Sequence, residues 1–127
     1  MHPIVERQLD QLRQSNIVFE MSEPASDGAH VLTVRDVPLP EGWSARSTTV
    51  RFVVPGGYPF AAPDCFWADP QLNLASGMPP KASNQQPLPQ TGEMGTWFSW
   101  HVARWNPNHD TLQSFLRLIE QRLSEAE

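Results

Sequence analysis

Ser47–Val54 (STTVRFVV) is a run of β-branched and aromatic residues that closes on Pro55-Gly56-Gly57. A second short apolar run, Asp64–Ala68, follows with no helix-forming stretch between them. Such a pair reads as two strands joined by a turn. The turn carries Tyr58, Pro59, Phe60 and Pro63; proline pre-sets the backbone there and the aromatic rings anchor it. Two further strand candidates lie upstream. Ile17–Met21 is short and suits a pleated surface. Val31–Val37 alternates, which places Val31, Thr33, Arg35 and Val37 on one face and Leu32, Val34 and Asp36 on the other. Pro38 and Pro40 end that strand, because proline donates no ladder hydrogen bond. The Asp27-Gly28 turn lies in the loop between these two candidates. Four strands without intervening helices predict an antiparallel meander.

Helices are expected at both ends. Over Pro3–Gln14, Ile4, Val5, Leu9 and Leu12 recur at helical spacing, with Glu6, Arg7, Asp10 and Arg13 off the stripe. Near the C-terminus, Leu112, Phe115, Leu116, Ile119 and Leu123 follow the same rule, which leaves Glu120, Gln121, Arg122 and Glu125 to solvent. Asp110 with Gln113 three residues on reads as the start of a capping box. Asp69–Gly95 is rich in Pro, Gln, Ser, Asn and Gly, with few apolar anchors, and reads as a long irregular loop. Trp97–Trp105 (WFSWHVARW) returns to aromatic density and suits one or two helical turns. The fold class is therefore α+β: an N-terminal helix, a four-stranded antiparallel meander, a long loop and a C-terminal helix.

Composition narrows the function. A chain of 127 residues supports one domain, 1–127, with its own core. Its formal net charge of -5, with scattered Lys and Arg, argues against nucleic acid as partner. No apolar run reaches the roughly 20 residues of a membrane span. The first dozen residues lack the uninterrupted apolar segment of a signal peptide. A single cysteine suits a reducing cytoplasm. One Cys and four separated His residues show no metal-ligand spacing, and there is no Gly-rich phosphate loop, so no metal and no cofactor are expected.

Tyr58–Trp67 reads YPFAAPDCFW, and Trp105-Asn106-Pro107 precedes the last helix. In this order the two words resemble the YPF-x-x-P and W-x-P motifs of the ubiquitin-conjugating (UBC-like) superfamily. The tract WFSWH (Trp97–His101) and the run DPQLNLASGMPP (Asp69–Pro80) look closest to its bacterial members called prokaryotic ubiquitin-conjugating family E. The resemblance implies a UBC-like fold over nearly the whole chain. It implies a protein that accepts a ubiquitin-like protein from an adenylating (activating) enzyme and transfers it to a target. The activating enzyme would dock on the N-terminal helix.

The family carries its cargo on a cysteine ahead of the Trp-X-Pro word, a position that falls at Trp97 here. It also uses the asparagine of a His-Pro-Asn tripeptide to support the oxyanion. The corresponding stretch is Leu72-Asn73-Leu74, where Asn73 is the candidate, one position out of register. Cys65 reads as a buried hydrophobe inside the fourth strand, where burial suppresses the thiolate. Ser99 is the candidate nucleophile, with His101 as its base, because a hydroxyl needs one at neutral pH. In an extended segment residues i and i+2 project to one side, so the two would meet; in a helix they would part, and His109 becomes the alternative base. The product would be a serine oxyester. Two other readings stay open. Ser99 can be the N-cap of a short helix with His101 packed on the tryptophans. The whole chain can also be a non-catalytic UBC-like variant, an adaptor that binds a ubiquitin-like protein or its activating enzyme.

Overall fold

The computed structural model describes residues 2–127. Its elements run α1 (Pro3–Gln14), β1 (Phe19–Met21), β2 (His30–Pro38), β3 (Ser47–Val54), β4 (Phe66–Ala68), β5 (Ser83–Pro87), β6 (Met94–Phe98) and α2 (Leu112–Leu123). The strands form one six-stranded antiparallel sheet in the order β1-β2-β3-β4-β6-β5. The sheet therefore has six strands where a four-stranded meander was expected, and the expected long loop contains a β-hairpin. The chain leaves β4, runs to the outer edge as β5 and returns as β6 between them. Polar residues hid this hairpin: β5 (SNQQP) is an edge strand with no alternating apolar face to read.

Both helices lie on one face. Val5, Leu9 and Leu12 of α1 meet Leu112, Phe115, Leu116, Ile119 and Leu123 of α2 over Leu32, Val34, Val50, Phe52, Val54, Phe66 and Phe98 of the sheet. On β3 alternate residues are buried, as a period of two requires. Strand β2 breaks that period. Asp36 takes a left-handed backbone (φ 57°), and the two residues between Val34 and Val37 oppose the single residue between Val50 and Thr48. This bulge returns Val37 to the face of Leu32 and Val34, which corrects the simple alternation. The outer face holds a smaller cluster of Val31, Trp67 and Leu88, with Val53 and Trp97 against it.

The segment after β4 has anchors that composition did not reveal. Thr96, fully buried, donates from Oγ1 to the Asp69 carbonyl at 2.7 Å and accepts from the Leu72 N–H at 3.1 Å. Leu72 enters the core, and Trp43 pairs with Leu74 while its indole donates to the Leu123 carbonyl at 2.9 Å.

The cap of helix α2, Thr111, lies one residue later than expected. Thr111 Oγ1 accepts from the Ser114 N–H at 3.0 Å, and Ser114 Oγ accepts from the Thr111 N–H at 2.8 Å. Asp110 is engaged elsewhere: its carboxylate accepts the Asn106 N–H at 2.8 Å and closes the Asn106–Asp110 turn. Arg122, expected on the solvent side, is only 5% exposed. Its guanidinium sits 5.1 Å from the Phe98 ring and 5.6 Å from Trp100, and it donates to the carbonyls of Lys81, Glu125 and Glu127.

The two sequence words meet in space. The Trp105 indole donates to the Pro59 carbonyl at 2.7 Å, and its ring lies 5.7 Å from that of Tyr58. The Tyr58 hydroxyl donates to Gln8 Oε1 of α1, which also accepts the Leu112 N–H of α2 at 2.9 Å. One buried carboxamide therefore joins both helices to the turn between β3 and β4.

Candidate functional site

The register of β4 on β6 builds the site. Phe66 faces Phe98 with stacked rings 4.7 Å apart. In an antiparallel pair, residues just before one strand lie beside those just after the other. Asp64 and Cys65, ahead of β4, therefore come next to Ser99, Trp100 and His101, beyond β6. Two backbone hydrogen bonds hold the arrangement: the Cys65 N–H donates to the Trp100 carbonyl at 3.0 Å, and the Ser99 N–H donates to the Ala82 carbonyl at 2.8 Å. Ser99 is the centre of a tight turn in which the Trp100 N–H donates to the Phe98 carbonyl at 2.9 Å. Arg122 under the Trp100 ring fixes the segment from below.

Residues 99–105 are irregular, not helical. Ser99 and His101 consequently fall on one side, with Ser99 Oγ 3.4 Å from His101 Nε2. The other ring nitrogen, Nδ1, is hydrogen-bonded to the carboxylate of Asp64. Hydroxyl, imidazole and carboxylate thus form a chain, with the carboxylate and the hydroxyl on opposite nitrogens of one ring. That is the order of groups by which a base is oriented toward a nucleophile. The oxygen–nitrogen separation is longer than the about 2.6–3.2 Å of proton transfer, as such contacts often are without substrate. Asp64 and His101 are 65% and 58% exposed, so the site lies open to solvent.

Cys65 is not inside the fourth strand; it lies just ahead of β4 with a left-handed backbone (φ 60°). It is a free thiol and 7% exposed. Burial, with the Asp64 charge behind it, pushes the thiol pKa up, against smaller opposing contributions from Trp100 and Trp97. Its sulfur, a carboxylate oxygen of Asp64 and a ring nitrogen of His101 all lie within 4.8 Å of one another.

Asn73 is elsewhere. It follows the far end of β4, where its backbone pairs with Ser44: the Asn73 N–H donates to Ser44 Oγ at 3.1 Å, and its carbonyl accepts the Ser44 N–H at 2.8 Å. It makes no hydrogen bond to Ser99 or His101. His109 lies in the turn before α2, its N–H on the Asn106 carbonyl. Trp97 occupies β6, half-buried on the outer face. Sequence reasoning missed Asp64, which stands 37 residues from His101 and belongs to no local pattern with it.

A family model described as prokaryotic E2 family E matches residues 4–126. No curated protein and no solved structure matches the chain.

Proposed function

Because the chain belongs to the prokaryotic E2 family E, with a ubiquitin-conjugating-like role in general, we propose that it accepts the activated C-terminal carboxyl of a ubiquitin-like protein on Ser99 and passes it to a target. The observation that carries this reading is the Ser99–His101–Asp64 chain. Ser99 Oγ attacks the activated carbonyl carbon, and its proton moves to His101 Nε2. Asp64 on Nδ1 holds the tautomer that leaves Nε2 free to accept and stabilises the imidazolium that forms. The activating enzyme's group leaves and takes the proton. An oxyester joins the cargo to Ser99, to be opened by an acceptor nucleophile in the reverse sense. The exposure of Asp64 and His101 suits a cargo that arrives as the tail of another protein. The ATP-dependent step belongs to the partner enzyme.

The family position for cysteine falls at Trp97, which occupies β6 as a strand residue. Asn73, at the opposite end of β4, has no part in this scheme; stabilisation of the oxyanion falls to other groups.

The test is a charging assay with the cognate activating enzyme, ubiquitin-like protein and ATP, read by intact mass. An adduct that resists thiol reductant, yields to hydroxylamine and is lost in Ser99→Ala but kept in Cys65→Ala is the expected result. Asp64→Asn should keep the fold and slow charging by about 100-fold or more, since base catalysis contributes roughly 10²–10⁴-fold. An adduct lost only in Cys65→Ala would transfer the acceptor role to the thiol beside the same imidazole. No adduct with a working activating enzyme would refute the transfer role and leave the binding-adaptor reading.

A further inference from the structure

We propose that Asp64, Cys65 and His101 form a binding site for a divalent cation of the zinc class, with one sulfur, one ring nitrogen and one carboxylate oxygen as ligands. The three donor atoms already lie within 4.8 Å of one another. Zinc bonds of about 2.0–2.3 Å to these donors place tetrahedral ligands roughly 3.3–3.8 Å apart, so the longest separation has about 1 Å to close, while the hydrogen-bonded Asp64–His101 pair opens to admit the ion. Asp64 and His101 are exposed and have room to swing. The sulfur is held by a backbone anchored through the Cys65 N–H on the Trp100 carbonyl.

The backbone explains how two successive residues share the task. In an extended chain Asp64 and Cys65 would point to opposite sides. The left-handed φ of 60° at Cys65 breaks that alternation and turns both toward His101. Cysteine takes this conformation at a cost of about 1–2 kcal/mol, and such strain persists where surrounding structure fixes it, commonly at functional positions.

The donor set defines the ion. A thiolate and a carboxylate carry two negative charges against the cation's two positive ones, so the centre is neutral, and the thiol proton is released to solvent on binding. Thiolate with imidazole selects zinc-like ions over magnesium or calcium, which prefer oxygen. Three protein ligands leave a fourth position for water, the open form of a zinc site. Ser99 Oγ faces Nε2, the ring nitrogen away from Asp64, and is not among the ligands. Local spacing offers no sign of the site, because its ligands sit on opposite sides of the β4–β6 pairing. A further consequence rests on the proposed transfer role: an ion that engages Asp64 and His101 dissolves the chain leading to Ser99, so zinc would block charging.

The experiment uses the full chain, stripped with chelator and kept reduced, titrated with Co²⁺ and then Zn²⁺. One equivalent of Co²⁺ should give a thiolate-to-metal charge-transfer band in the near ultraviolet and the intense visible bands of tetrahedral cobalt. Zn²⁺ should abolish both stoichiometrically. Cys65→Ser should lose the charge-transfer band. His101→Ala and Asp64→Asn, both at exposed positions where folding is kept, should weaken Zn²⁺ binding by more than the roughly 10- to 100-fold cost of removing an outer-shell partner. Ser99→Ala should bind as the unaltered chain does. Absence of the band, or equal binding in the His101 and Asp64 variants, would overturn the proposal. None of these readouts needs the activating enzyme, so failure here is distinct from failure of the transfer reaction.

Discussion

Gln8 is the residue on which the helices and the β3–β4 turn are joined, and its replacement by leucine has a calculable cost. The side chain is 7% exposed, and Oε1 accepts two hydrogen bonds, from the Tyr58 hydroxyl and the Leu112 N–H. Tyr58 and Leu112 are themselves buried, so neither donor finds water when the acceptor is gone. Each orphaned donor costs about 1–3 kcal/mol. Leucine returns some apolar packing, which brings the expected loss for Gln8→Leu to about 2–4 kcal/mol. Tyr58→Phe removes one donor but leaves Oε1 with the Leu112 N–H, and should cost only about 1 kcal/mol. In the double variant a single donor is orphaned, so its loss should fall below the sum of the two by about 1–2 kcal/mol. Urea unfolding of the four proteins at neutral pH, with equal m-values, measures all of these terms. A Gln8→Leu loss under about 0.5 kcal/mol, the range of an ordinary surface change, or strict additivity would show that the carboxamide does not carry the junction.

Three further outcomes follow from the same geometry. Burial holds the Tyr58 phenol neutral, its pKa raised well above the ordinary 10.0. Its contribution is complete below pH 10.0 and is lost above it, because the unfolded chain ionises first. The unfolding free energy from urea titrations should therefore fall by up to about 1.4 kcal/mol per pH unit in that range, and Tyr58→Phe should remove this slope. Gly56→Ala should destabilise by several kcal/mol, since the added Cβ would stand 2.3 Å from the Asp27 carbonyl oxygen, a backbone atom that cannot swing aside; a thermal midpoint unchanged from the parent would refute this. Arg122→Met removes a donor from three carbonyls, of which Glu125 and Glu127 each keep a backbone N–H and Lys81 keeps none, and it removes the cation from the Phe98 and Trp100 rings. A loss of about 2 kcal/mol or more is expected in urea, with a change in tryptophan emission as Trp100 loosens.

Periodicity alone determined the two helices, the β2–β3 pair and most of the apolar residues these elements turn to the core. These rest on local rules: 3.6 residues per turn, alternation along a strand, and the refusal of proline to donate. The Tyr-Pro-Phe and Trp-X-Pro words were legible as a pair, and so was the chance that Ser99 and His101 share a side if extended. What the tertiary structure decided is everything that depends on register between distant segments. The β5–β6 hairpin has a polar edge strand and no local signature, and only the pairing of β6 with β4 shows it. The cap of α2 moved to Thr111 because Asp110 was drawn into a turn with Asn106. Arg122 is buried because aromatic rings from β6 and the following segment close over it. Asp64 and Cys65 meet His101 because Phe66 faces Phe98, and a slip of one residue in that register would turn these side chains to the other face. A sequence lists neighbours along the chain, whereas this site is made of neighbours across a sheet.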